Sequence, residues 1–137
     1  MNRWMRDPRV ERAEADAFFA ERAERAGDRE SAKEKYRAAG ESFAAVSLSV
    51  PADHPNTRAD LAVAAVAALA RGGAYPRAID HARRVLAEPG ALTESGRAEL
   101  LRLLREYEQV GGARPPASPN RGQALRDEVR ARFRSAA

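Results

Sequence analysis

The chain predicts an all-α fold of stacked antiparallel helix pairs, and three observations carry that prediction. A phrase occurs twice: Gly27-Asp28-Arg29-Glu30-Ser31-Ala32 and Gly73-Ala74-Tyr75-Pro76-Arg77-Ala78 each end one alanine-rich run and open another. Alanine, leucine, arginine and glutamate dominate, all good helix formers, and runs of Val, Ile, Thr and Tyr are missing. Apolar residues recur at helical spacing, as in Ala32, Tyr36, Ala39 and Phe43. An internal repeat constrains a fold more than any local signal does. Hydrophobic residues make up 44% of the 137 but aromatics only 6%, so the core is expected to be thin, with helices close together.

The elements follow in order. Residues 1–8 form an N-terminal segment in which Trp4-Met5 is expected to serve as a packing anchor. Asp7 and Pro8 suit the start of a first helix, about Arg9 to Ala26, with Ala13, Ala17 and Ala20 inside and Phe18 and Phe19 on either side. Gly27 ends it and Asp28 caps a long second helix, Arg29 to Ser49. Residues 51–56, Pro-Ala-Asp-His-Pro-Asn, read as a loop. A third helix, Arg58 to about Arg71, capped by Asn56 or Thr57, is apolar nearly all round and so is expected to be covered on both sides. A fourth runs from Tyr75 to about Ala87, with Ile79, Ala82, Val85 and Leu86 inside and Pro76 tolerated in its first turn. A fifth extends from the capping phrase at Thr93 to Val110, with Leu100, Leu101, Leu103, Leu104 and Tyr107 inside. The helical body is thus 9–110. A semi-extended Pro/Gly-rich linker, 111–121, leads to a basic amphipathic helix, 122–137, carrying Leu125, Val129 and Phe133 at i, i+4, i+8 beside Arg126 and Arg130.

Charge is unevenly placed along a chain of net +4. Arg3, Arg6, Arg9 and Arg12 outweigh Asp7 and Glu11 at the start, and six arginines outweigh Asp127 and Glu128 after residue 111, which leaves the body slightly acidic. Lys33 and Lys35 are the only lysines among 24 basic residues, a bias expected of a GC-rich bacterial genome, with phosphate recognition by arginine as the sharper alternative.

Several function classes are disfavoured. With no cysteine there is no disulfide, zinc-thiolate or thiol chemistry. His54 and His81 are too few and unpatterned for a metal site, and His81 is expected at the surface or only partly packed. Glu11, Glu14, Glu21 and Glu24 share a helix without an accompanying Glu-x-x-His motif. Gly72-Gly73 lacks the Lys-Ser/Thr of a phosphate-cradling loop. The expectation is a non-enzyme without cofactor or metal. No apolar h-region follows the N-terminal arginines, and Leu61 to Ala70 is too short to span a bilayer. A cytoplasmic protein without a membrane partner is expected.

Residues 13–46 resemble a tetratricopeptide repeat, a two-helix unit of roughly 34 residues. Ala20 falls at its small site, Gly27-Asp28 at its turn, and Ala32, Tyr36 and Ala39 at the small, aromatic and small sites of its second helix. The next unit is similar to the kinesin-light-chain type, through His54-Pro55-Asn56-Thr57 and then Gly73, Tyr75 and Ala78. It departs from that pattern at Ala82 and Val85, and its third unit is a single helix. The resemblance implies a short right-handed solenoid of about five helices plus the C-terminal one. It further implies a concave groove lined by the first helix of each pair: Glu14, Ala17, Glu21 and Glu24, then Asp60, Val63, Ala67 and Arg71. The function so implied is that of an adaptor or scaffold binding a protein or peptide partner. Leu125, Val129 and Phe133 need cover from this chain, a second copy in a homo-oligomer, or a partner. The alternative is a nucleic-acid-associated accessory protein using its Arg-rich ends.

Overall fold

A computed structural model describes residues 3–88 and 90–111. The linker and basic segment expected beyond residue 111 lie outside the described residues. Among those described, a 3₁₀ turn, Arg3–Arg6, precedes five α-helices: α1 (Pro8–Arg25), α2 (Arg29–Ser49), α3 (Pro55–Arg71), α4 (Tyr75–Leu86) and α5 (Glu94–Gly111). There is no strand among them. Packing runs α1 on α2, α2 on α3, α3 on α4 and on α5, and α4 on α5.

The repeated phrase builds the same turn twice. At the end of α1, Gly27 adopts φ 82°, its N–H bonds the Glu24 carbonyl at 3.1 Å, and the Asp28 N–H reaches back to Ala23 at 2.9 Å. At the end of α3, Gly73 adopts φ 78°, bonding Ala70 at 2.9 Å, while Ala74 N–H reaches Leu69 at 2.9 Å. Both are Schellman closures, in which a left-handed residue satisfies the last carbonyls, and glycine takes that conformation without a Cβ clash. Five residues beyond each glycine, Ala32 and Ala78 are buried against the preceding helix. The glycine and alanine that the two phrases share therefore correspond to one turn geometry used twice.

Other starts are set by side chains. Asp7 caps α1, accepting from Arg9 N–H at 2.8 Å, and Asp28 caps α2, accepting from Ser31 N–H at 3.1 Å. The Arg9 guanidinium closes on the Asp7 carboxylate at 2.9 Å and holds that carboxyl below its usual range. Thr93 Oγ1 accepts from Gly96 N–H at 3.1 Å at the head of α5. The third helix begins earlier than expected. It starts at Pro55, with His54 at the capping position but making no side-chain capping bond, and Thr57 is buried inside the helix. Proline suits the first helical position because the N–H it lacks has no intrahelical partner there anyway, so the loop-like composition of 51–56 concealed a helix start.

α3 occupies the centre. Leu61, Ala62, Ala65, Val66, Ala68, Leu69 and Ala70 are all buried. One side of the helix joins α1 and α2 through Val10, Ala13, Ala39, Phe43 and Val46. The other joins α4 and α5 through Ala78, Val85, Leu100, Leu103 and Tyr107. The expected all-round cover of α3 thus has a physical form: two apolar clusters sharing one helix. In α5, Leu100 and Leu103 are buried while Leu101 and Leu104 are only half-buried, because no further helix among the described residues covers that face.

Two polar side chains inside the fold depart from expectation. His81 was expected near the surface but is 1% exposed, enclosed between α2 and α4. The Ser47 hydroxyl donates to the Ala44 carbonyl at 2.8 Å, which leaves its oxygen to accept from His81 Nε2–H at 3.1 Å. Arg58, read in the sequence only as a helix start, is 4% exposed. Its Nη1 donates to the Val50 carbonyl at 2.7 Å and its Nη2 to Glu88 at 2.6 Å, fastening the α2–α3 connection to the end of α4. Arg58→Ala strands a buried carbonyl and is expected to cost about 2 kcal/mol. Glu88→Gln removes charge from a side chain that is half exposed and should cost below about 1 kcal/mol. Urea unfolding of the two variants checks the difference; equal losses would show that the ion pair rather than the carbonyl bond carries the effect.

Candidate binding groove

A groove of about 970 Å³ opens along α1, α3 and α5. The helix periodicity explains its walls. Glu14, Ala17, Phe18 and Glu21 recur along one face of α1, and Asp60, Val63, Ala64 and Ala67 along the facing side of α3. The first turns of α5 close one flank with Ser95, Glu99 and Arg102, and Phe43 of α2 forms part of the floor.

Of the eight side chains expected to line this face, six do: Glu14, Ala17, Glu21, Asp60, Val63 and Ala67. Glu24 and Arg71 do not. The Arg71 side chain is 2% exposed, its Nη2 lies 3.1 Å from Glu24 and its Nη1 3.8 Å from Glu21. Its guanidinium also stacks 4.4 Å from the centre of the Tyr36 ring. A cation so enclosed clamps α1, α2 and α3 together and is not presented to a ligand. Among the lining residues not expected from the sequence are Met5, Phe18, Ser95, Glu99 and Arg102. Phe18 stood out only as one of an adjacent pair, and the α5 residues were invisible because nothing local places that helix beside α1.

The groove is acidic and apolar together. Its lining carries Glu14, Glu21, Asp60 and Glu99 against Arg102, whose guanidinium is already held by Glu99 and by Glu106 at 3.4 Å. Among the described residues the large apolar side chains left exposed are Met5, Phe18 and Phe19. Two of them, Met5 at 41% and Phe18 at 57%, stand in the groove. The expected Trp4-Met5 anchor divides accordingly: Trp4 packs on the α1–α2 cluster and against the His54 ring at 4.5 Å, while Met5 faces the opening. Phe19 lies outside the lining, with Lys35 over its ring at 5.9 Å.

Chemically, this face presents carboxylates beside apolar surface. Among the described residues no three His, Asp or Glu side chains converge to hold a metal ion. His81, whose pKa burial lowers, belongs to the α2–α4 interior, not to the groove. Among the described residues no helix is long and apolar enough to cross a membrane. Comparison of the chain with family models, with curated proteins and with solved structures finds no match.

Proposed function

We propose that this protein is a tetratricopeptide-like helical adaptor that binds a basic, amphipathic segment of a partner protein along the α1–α3–α5 groove. The observation that carries the reading is the coincidence in one groove of four carboxylates with two exposed large apolar side chains, Met5 and Phe18. Charged rims alone are ordinary for helical proteins, and an isolated exposed apolar residue needs no explanation. The two together match an amphipathic helix, whose apolar stripe lies on the floor while its cations meet the acidic rim. The twinned Schellman turns and the buried Ala20, Ala32, Tyr36, Ala39 and Ala78 support the helix-repeat part of the proposal.

The test is a fluorescence-anisotropy titration of the full chain with a synthetic helical peptide carrying apolar residues at i, i+4 and i+8 and arginines between them. Binding is expected to weaken about tenfold, equivalent to ~1.4 kcal/mol, in Glu14→Lys/Asp60→Lys. It should also fall as salt rises, because the rim charges are exposed to solvent. Equal binding of a peptide with glutamates in place of the arginines would remove the basis for the proposal.

A further inference from the structure

The outer face of α1 carries the chemistry that the groove receives. Opposite the buried Val10, Ala13, Ala17 and Ala20, Phe19 stands 48% exposed and outside the groove lining. Exposed Ala15, Arg12 and Arg22 share its side of the helix by periodicity. Lys35 reaches over from α2 to lie 5.9 Å from the centre of the Phe19 ring, and Arg22 lies 5.9 Å from that of Phe18. The two rings meet edge to face at 5.5 Å. The result is an aromatic ridge flanked by cations, which a ring holds nearby without neutralising. Among the described residues, Arg12, Arg22 and Lys35 belong to no ion pair. They outnumber Glu11, the exposed carboxylate of that face. We propose that this ridge docks into the α1–α3–α5 groove of a second copy of the chain, an inference that rests on the groove being a binding site for basic amphipathic segments.

The two surfaces match in charge, in polarity and in length. Arg12, Arg22 and Lys35 of one molecule meet the rim of Glu14, Glu21, Asp60 and Glu99 on the next. Phe19 meets the apolar Met5, Val63 and Ala64. From Ala15 to Arg22 the ridge rises about 10 Å, as do the groove walls from Glu14 to Glu21 and from Asp60 to Ala67. Stacking of nucleic-acid bases suits the ridge less well. Its rings cross at 73° and each already has a cation beside it, whereas successive bases stack on open ring faces. A contact between unlike faces leaves one ridge and one groove unused in every pair, so it repeats from copy to copy. The molecules line up head to tail, and a basic segment of another protein that fills the groove ends the row.

Sedimentation equilibrium of the full chain tests the contact. The average mass is expected to rise as protein goes from about 10 µM to about 1 mM, the range of a small interface. It should return to that of one chain as salt rises. Two variants altered only at exposed side chains should fold as the native chain does and stay monomeric. Phe19→Gln/Arg22→Gln removes the ridge, and Glu14→Lys/Asp60→Lys removes the groove. Phe18 borders both faces and is left unchanged. Mixed together, the variants should form a one-to-one pair that grows no further, because the intact ridge of the second enters the intact groove of the first. A native chain that stays monomeric up to about 1 mM overturns the proposal. So does association of either variant by itself to the native extent, or a mixture that stays monomeric. The synthetic peptide separates this failure from that of the groove. If the peptide binds a chain that never associates, self-docking alone is lost; if the peptide also fails to bind, the groove reading falls with it.

Discussion

Gly40→Ala is expected to destabilise the fold by about 2 kcal/mol, the reverse of what the same change does in an ordinary helix. In mid-helix, glycine to alanine gains up to ~1 kcal/mol from propensity alone. At Gly40 a Cβ would sit 2.6 Å from Leu69 Cγ and 2.9 Å from the Leu69 backbone nitrogen. A leucine side chain can turn away, but a backbone nitrogen cannot move without its helix. α2 and α3 must then separate, and the contacts of Ala39, Phe43, Ala65 and Ala68 loosen with them. Overpacking of this kind costs about 1–3 kcal/mol or more, so it outweighs the propensity gain. Thermal unfolding should show a midpoint lower by roughly 10 °C for a body of this size. A raised midpoint would mean that the two helices do not approach so closely.

The second large effect is a loss of stability in mild acid that depends on one imidazole. Burial lowers the His81 pKa from 6.5 to about 4, and the nearby Arg77 and Arg84 charges push the same way. The proton on Nε2 is donated to Ser47, and adding a second proton would place a charge in the α2–α4 interior. The sign follows. The unfolded chain takes up a proton near pH 6.5, whereas the folded chain resists until about pH 4. The full contribution of the neutral imidazole is therefore present above pH 6.5. It diminishes as pH falls and is lost by about pH 4, with a ceiling of about 3 kcal/mol. Carboxylates titrate over part of this range, so the informative quantity is the difference from His81→Leu. Ser47 keeps its bond to the Ala44 carbonyl in that variant. As pH falls from 6.5 to 4 the native chain should lose stability relative to His81→Leu, by up to about 3 kcal/mol. Parallel curves would show that His81 is protonated in the folded state at much the same pH as in the unfolded one.

Those two sites show where the sequence was legible and where it was not. The helices and their turns were readable because their causes are local: a Schellman glycine, an aspartate cap and an apolar stripe each act within a few residues. α2 was read with its observed ends, since Asp28 and Pro51 bracket it. α3 was read three residues short because Pro55 has two meanings, loop breaker and first helical residue. The burial of His81 and Arg58 was not readable. Ser47 is 34 residues from His81, and Glu88 is 30 from Arg58. Nothing near either basic residue in sequence announces its partner. The groove was partly legible for the same reason. The faces of α1 and α3 follow from periodicity, which placed six of its lining residues, whereas the α5 flank and the enclosure of Arg71 depend on how separate helices meet.

The central position of α3 has a consequence for cooperativity. Stacked repeats usually behave as a chain of near-independent units, each stabilised by its neighbours, so that one end can melt while the other persists. Here one helix supplies a wall to the two larger apolar clusters, through Leu61, Ala65 and Ala68 on one side and Ala62, Val66 and Leu69 on the other. Neither cluster survives without it. The described body should accordingly unfold in one step, with α3 amides exchanging only through global opening. Insertions between α2 and α3 should not be tolerated, because there Arg58 ties the connection to Val50 and to Glu88 just beyond α4.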